Sequence, residues 1–272
     1  MKKIIKHLAF IQNSSAHTCQ YLSGKEINTI QLFCFGLLRR IDETATSTEL
    51  LIKQLEHNPK FDFAVGILFR ALLLDTLISM NMLNLIHELE AAQKTDEEMG
   101  IAIKEFCEDS LSDGLKQTLS YIEDAEKYFH KTPAETAATF KNLGATFKPF
   151  FDNYPDDGTK PVLKYKDQKT AKKWFEVLAK TNDLNEVSKL YDSYAYLSKY
   201  DHFGIVYYHA INEPLDSKIG IYSNVSEAFV AHNTLVHVIL SRHSQDDQFL
   251  NEQKDKANSY LLNEVINMKT VH

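Results

Sequence analysis

The segment FAVGILFRALLLDTLISMNMLNLI, residues 63–86, is the longest apolar run of the chain and decides the fold class. The run is long enough to cross a bilayer. Arg70 and Asp75 lie inside it, however, and each charged residue costs roughly 2.5–3.5 kcal/mol at the centre of a bilayer. We therefore interpret the segment as a buried helix at the centre of a helical bundle, and we expect no membrane attachment.

Patterns that begin helices recur on both sides of this run. Four pairs have the spacing of a capping box, in which two backbone donors are satisfied reciprocally: Thr46/Glu49, Thr95/Glu98, Thr132/Glu135 and Asn224/Glu227. The chain has only 9 Gly and 6 Pro, fewer than sheets joined by tight turns require. The sequence thus predicts an all-α multi-helix bundle of about eight or nine helices. Their predicted ranges are 26–42, 47–57, 61–93, 96–130, 133–147, 167–181, 183–203, 225–244 and 246–268.

The length of 272 residues is compatible with a single all-α domain spanning 1–272. The loop FDNYPDDGTKPVLKYKD, residues 151–167, contains two prolines and a glycine, and we place the one expected subdivision within it, at 152–162. A second loop is predicted at NEPLDSKIGIYSN, residues 212–224.

Composition and charge limit the function classes. The net charge of −7 argues against a protein coated with a basic surface for nucleic acid. Lys6 and His7 interrupt the N-terminal apolar run, which would be continuous in a signal peptide. We therefore expect a cytoplasmic protein. Its three cysteines and eleven histidines show no metal-ligand spacing, and His232 and His237 lie five apart, the wrong spacing for one helix face. We expect no metal and no cofactor.

A tyrosine-rich stretch, YDSYAYLSKYDHFGIVYYH at 191–209, holds the first candidate site. On a helix, Tyr194, Ser198 and His202 stand at i, i+4 and i+8 and share one face. His202 would lie in the last turn, where an imidazole can exchange a proton with a ligand near neutral pH. The alternative is that His202 bonds the last carbonyls of its own helix while the tyrosines pack.

Arg70 is the second candidate, because an arginine among apolar neighbours requires a partner. Asp75 is five positions further on and not on the same helix face, so we expect the partner on another helix or on an anionic ligand. A buried bridge between Arg70 and a carboxylate of another helix explains the sequence equally well.

A third candidate is a basic stretch. Seven lysines lie between 160 and 180, and Lys172 and Lys173 precede Trp174. Basic and aromatic residues that alternate can follow a phosphate backbone and stack on bases. A solvated lysine face on a helix that buries Trp174 on its other side is the interpretation we favour.

The long apolar helix with Arg70 and Asp75, followed by a helix reading Tyr194-x3-Ser198-x3-His202, resembles bacterial helical proteins of the HEPN type. The resemblance covers residues 60–90 and 185–245. It implies an HEPN-like antiparallel core, a homodimer, and a role in phage defence, toxin–antitoxin or RNA-processing systems. HEPN ribonucleases use an Arg-x4–6-His motif without metal. None of the four arginines here is followed by a histidine at that spacing.

Two hypotheses about function follow. In the first, His202 and Arg70 would be catalytic towards RNA or a nucleotide, the histidine taking a proton from a ribose hydroxyl and the arginine stabilising phosphate charge. Tyr194, Ser198 and Asp75, with Lys172, Lys173 and Trp174, would bind the ligand. In the second, the protein is a non-catalytic helical module that binds a protein partner or a small ligand. The sequence leaves open whether the protein is an enzyme.

Overall fold

The chain folds as an α-helical bundle, as the sequence predicts. The computed structural model describes residues 1–55, 57–128, 130–165, 170–181, 184–201, 212–244 and 247–266. These residues form nine α-helices, α1 to α9, which span Lys2–Leu22, Thr29–Leu55, Asp62–Ala91, Asp96–Tyr128, Pro133–Thr146, Ala171–Thr181, Leu184–Ser198, Leu215–Arg242 and Gln248–Leu261. Two short antiparallel strands, β1 (Phe151–Asn153) and β2 (Val162–Leu163), are paired. Short 3-10 turns lie at Pro59–Phe61, Lys148–Phe150 and Lys199–Asp201, and a π-helical turn, Leu262–Ile266, follows α9.

Two of the predicted capping boxes begin helices. Before α5, the Thr132 hydroxyl accepts from the Glu135 backbone N–H at 3.3 Å, and the Glu135 carboxylate accepts from the Thr132 backbone N–H at 2.8 Å. Thr95 and Glu98 make the same pair of bonds before α4, at 3.3 and 2.9 Å. Because a first helical turn leaves backbone N–H groups without partners, these reciprocal bonds fix where each helix begins.

The capping pattern at Thr46 is wrong, because Thr46 lies inside α2. The predicted break between residues 42 and 47 does not exist. Ile41, Ala45, Thr48 and Ile52 are all buried, at spacings of three and four residues. This apolar stripe continues through the predicted break, so packing favours one unbroken helix over two.

The pattern at Asn224 is wrong for the same reason. α8 begins at Leu215, so most of the predicted loop at 212–224 is helical. Tyr222 and Val225 are buried on either side of Asn224, and Glu227 bonds Lys3 across to α1 at 2.7 Å instead of returning to the backbone of Asn224.

α1 was not predicted from the sequence. Ile4, Leu8 and Ile11 are buried at helical spacing, and the polar residues between them do not interrupt the helix. Lys6 points outward and pairs with Glu264 at 2.6 Å, whereas His7 is buried against the Ser226 hydroxyl at 3.2 Å. Lys6 and His7 break the apolar run in the linear sequence, so the helical period of three to four residues was not recognised.

The chain divides into two compact units, residues 1–94 with 171–272, and residues 95–170. The predicted subdivision at 152–162 lies within the second unit. There the segment predicted as a loop is partly a β-hairpin, because its two strands bury Phe151 and Leu163 together. This second-unit core consists of Leu115, Leu119, Ile122, Phe140, Phe151 and Leu163.

α3 is the central helix of the first unit. It packs against α2, α6, α7 and α8 and buries Phe69, Leu72 and Leu73. The segment Pro59–Ala91 is long and apolar enough to cross a membrane, but core helices of soluble proteins have the same properties. The expected absence of membrane attachment stays a prediction.

A buried charge joins the beginning of α3 to the region after α7 and to α8. The Asp62 carboxylate accepts from Lys218 Nζ at 2.6 Å and from the Tyr200 and Tyr222 hydroxyls at 2.9 and 2.6 Å. Lys218 is only 2% exposed. Burial raises the pKa of Tyr200 and Tyr222 above the ordinary phenol value, so both remain protonated donors. We call these four residues the Asp62 cluster.

Replacing Lys218 tests how much the fold depends on the Asp62 cluster. We expect Lys218→Met to lower the free energy of unfolding by about 3–5 kcal/mol, because the buried carboxylate loses its charged partner. The matched control is Arg242→Met on the same helix, whose pair with Glu90 is 44% and 42% exposed. That change should lower stability by about 1 kcal/mol or less. Urea unfolding of the full chain measures the stability of both variants. Equal losses would contradict the dependence of the fold on the Asp62 cluster.

Candidate functional site

The structure brings three of the predicted site residues together. Arg70 is half-buried on α3, and its Nε donates to Ser198 Oγ at 3.3 Å while an Nη donates to the Tyr194 hydroxyl at 3.4 Å. The guanidinium carbon lies 5.5 Å from the centre of the Tyr194 ring. Both bonds are long for N–H to oxygen. His202, the predicted catalytic base, lies outside the described residues.

Asp75 is placed against a different arginine. Its carboxylate, 7% exposed, accepts from Arg40 Nε on α2 at 2.9 Å. Burial raises the pKa of Asp75, and the hydrogen bond and charge of Arg40 oppose that rise. Asp75 therefore ties α3 to α2, and its described bond does not lead to the Arg70 group.

The predicted basic and aromatic residues of α6 lie on opposite faces. Lys172 and Lys173 are exposed, and Lys172 pairs with Glu176 at 3.8 Å one turn later. Trp174 is half-buried and packs on the cluster formed by Leu77, Phe175 and Leu178. The interpretation favoured from the sequence, a solvated lysine face opposite a buried tryptophan, matches these positions.

A cavity of about 800 Å³ lies among α3, α7, α8 and the end of the described chain. Apolar side chains form most of its wall, chiefly Met80, Leu83, Leu190, Leu235, Val238 and Leu261. Small-ligand sites in proteins have volumes of roughly 300–1,000 Å³ and the same predominantly apolar lining. By size and by lining, the cavity is suited to a small molecule.

His232 is the distinctive residue of the cavity wall. It is 1% exposed, and neither of its ring nitrogens has a hydrogen-bond partner among the residues that the structure describes. Buried polar atoms are nearly always paired, and leaving one unpaired costs about 1–3 kcal/mol. Both nitrogens are enclosed by the wall, so a ligand in the cavity can bond one of them only after the imidazole turns towards it.

A neighbouring histidine on α8 shows the usual arrangement. His237 Nδ1 lies 2.7 Å from the Asn233 carbonyl oxygen, and its Nε2 lies 3.0 Å from the Thr18 hydroxyl. Ser15 donates to the Asn233 side chain at 2.9 Å in the same layer. The α1 side of α8 is therefore a bonded polar layer, whereas His232 lies in the cavity wall without a described hydrogen-bond partner.

The protonation state of His232 determines what it can do. Burial lowers its pKa from 6.5 to about 3, so the imidazole is neutral at neutral pH and offers one donor and one acceptor. A general base works best with a pKa near the operating pH, and a value near 3 is far below it. The residue is suited to binding rather than to proton transfer.

Metal chemistry finds no support in this region. Across the described ranges, no three His, Cys, Asp or Glu side chains are placed to hold one ion. From the sequence, His232 is considered only as a metal ligand, and it is rejected because its spacing from His237 is wrong for one helix face. Its local sequence, AHNTLVH, contains two histidines that the fold treats in opposite ways. His237 is bonded by the Asn233 carbonyl of its own helix and by Thr18 of α1, more than 200 residues earlier.

Comparison with known proteins adds no relative. None of the protein-family models, curated proteins or solved structures compared with the chain matches it. The HEPN-like resemblance therefore stays a prediction that depends on Arg70, Asp75, Tyr194, Ser198 and His202.

The neutral His232 should make stability depend on pH. Below pH 6.5 the unfolded chain takes up a proton at His232, whereas the folded protein does not until about pH 3. The free energy of unfolding should thus fall with falling pH, by about 1.4 kcal/mol per pH unit for this group. We expect His232→Leu to reduce the slope by that amount between about pH 6.5 and 4.5.

Val238→Leu, a change in the same cavity wall without a titrating group, should keep the wild-type slope. Urea unfolding at several pH values measures the slope for each variant. If His232→Leu also keeps the full slope, the residue is not buried in its neutral form.

Proposed function

We propose that the first unit is a binding module for a small, largely apolar molecule, held in the cavity beside His232. The observation that supports the proposal is the unpaired, buried imidazole in a predominantly apolar wall. Ligand sites typically combine such walls with a few polar groups that fix orientation. The proposal takes up the non-catalytic alternative of the sequence analysis.

Binding at this position would remove two unfavourable features of the free protein. The ligand would bring apolar surface into contact with the cavity wall. Each Å² of apolar surface removed from water stabilises the complex by about 25 cal/mol. It would also satisfy a ring nitrogen of His232. A ligand that binds the folded chain alone stabilises it by mass action, so binding and thermal stability should rise together.

Filling the cavity tests the proposal. N-phenylnaphthylamine, a neutral apolar dye whose fluorescence rises in apolar sites, should bind the wild-type protein saturably. Ala228 lies in the cavity wall on α8, and Ala228→Trp should weaken binding by at least about tenfold because the indole occupies the ligand volume. The control is Ala92→Trp, at an exposed position after α3.

Fluorescence titration gives both dissociation constants, and circular dichroism verifies that each variant folds. The proposal is wrong if the wild type shows no saturable binding, or if Ala228→Trp binds the dye as the wild type does.

A second candidate function is the recognition of RNA or a nucleotide by Arg70. It is favoured by the grouping of the guanidinium with the Tyr194 and Ser198 hydroxyls. A guanidinium binds phosphate with two parallel donors, and the Tyr194 hydroxyl beside it can add a further bond. This is the RNA-linked role that the HEPN-like resemblance implies, and it leaves open whether the RNA is cut.

Arg70→Met distinguishes the second candidate. We expect it to weaken binding of a fluorescein-labelled single-stranded RNA by about tenfold, because a charge-assisted phosphate contact is lost. Arg39→Met is the control, since Arg39 is exposed and pairs with Glu43 on its own helix. Fluorescence anisotropy reports both. Equal effects of the two variants would mean that only the loss of a positive charge matters. Arg70 would then not be a specific RNA-binding residue.

A further inference from the structure

The charges in the cavity wall do not select an ion. Among the described residues that line the cavity, the charged ones are Lys189 and Glu227, one of each sign. Glu227 is already bonded to Lys3 at 2.7 Å. His232 is buried in its neutral form. Lys189 is exposed, and a charged ligand group moved from water to the apolar part of the wall would lose hydration without a matching gain, which is strongly unfavourable.

The hydrogen-bonding capacity of the wall is more selective. The Thr76 hydroxyl donates to the Leu72 carbonyl at 2.8 Å, and the Thr234 hydroxyl lies within hydrogen-bond distance of the Val230 and Ala257 carbonyls, at 2.8 and 3.2 Å. Each hydroxyl has a single proton, so both can only accept from a ligand. His232, by contrast, offers one donor and one acceptor.

A group that both donates and accepts fits this set better than a pure acceptor. A hydroxyl meets either nitrogen of a neutral imidazole, whichever tautomer is present. Ethers and ketones can only accept, and a carboxylate adds the charge that the wall does not balance.

Building on the proposed function, we infer that the ligand is an uncharged molecule with an apolar body and a hydroxyl group, and that this hydroxyl bonds His232. The rest of the molecule lies against the aliphatic wall formed by α3, α7 and α8.

Three compounds with the same ring body test the inference: naphthalenemethanol, ethylnaphthalene and naphthoate, all substituted at the same ring carbon. Their dissociation constants come from displacement of N-phenylnaphthylamine from the wild-type full chain and from two variants, His232→Leu and His232→Gln. We expect the alcohol to bind the wild type at least about tenfold more tightly than the carboxylate. His232→Leu should weaken the alcohol by about five- to tenfold and leave the hydrocarbon unchanged or tighter.

His232→Gln keeps a donor and an acceptor and should retain most of the affinity for the alcohol. This variant separates loss of the hydrogen bond from a general disturbance of the wall. If the alcohol and the hydrocarbon respond alike to His232→Leu, or if the carboxylate binds as tightly as the alcohol, the inference is overturned while the cavity remains a binding site. If the dye itself does not bind the wild type, the proposed function fails first.

Discussion

The buried carboxylate of Asp62 is the interaction on which the arrangement of the first unit depends. Asp62 is the first residue of α3, and its three described partners come from the turn after α7 and from α8. A carboxylate and an ammonium removed from water together stabilise a fold only when their remaining bonding positions are filled. Here two tyrosine hydroxyls donate to the carboxylate besides Lys218. Gly66, one turn further along α3, leaves room for the Tyr200 ring, which would lie 2.8 Å from a β-carbon at that position.

The cavity lies beside that arrangement. It is lined by α3, α7 and α8, together with Leu261, Val265 and Ile266 from the end of the described chain. α8 contributes two kinds of polar residue. Those facing α1 are bonded to residues of α1, as the pairs of Ser15 with Asn233 and of Thr18 with His237 show. His232, on the cavity side, has no such neighbour in the described chain. The same helix thus provides both a rigid support and a site with unused bonding capacity.

The sequence predicted the features that depend on local pattern. The apolar run at 63–86 predicted the central helix, and the pairs at Thr95 and Thr132 predicted two helix starts to the residue, because a capping box acts within one turn. At Thr46 the same pattern failed because distant packing continued the helix. In the candidate site, too, the sequence predicted what depends on local spacing. Spacing alone predicted that Tyr194 and Ser198 share a face, and the structure places Arg70 against both.

Pairings over long sequence separations were out of reach. Asp62 bonds Lys218, 156 residues away, and nothing near either residue indicates the other. Tyr196 bonds Glu213 and Tyr200 bonds Asp62, although both tyrosines come from one tyrosine-rich stretch. His232 could not be distinguished from His237 for the same reason, since one of the two partners of His237 is Thr18 of the distant helix α1.

The most direct test of the central claim is NMR spectroscopy of the His232 ring nitrogens near neutral pH, recorded while naphthalenemethanol is added. The free protein should show a neutral imidazole. Saturation with the alcohol should shift one or both nitrogen signals as a hydrogen bond forms, with no change for the His237 ring. Signals of a protonated imidazole in the free protein, or His232 signals that stay fixed while the alcohol binds, would contradict a site built around a neutral, unpaired histidine.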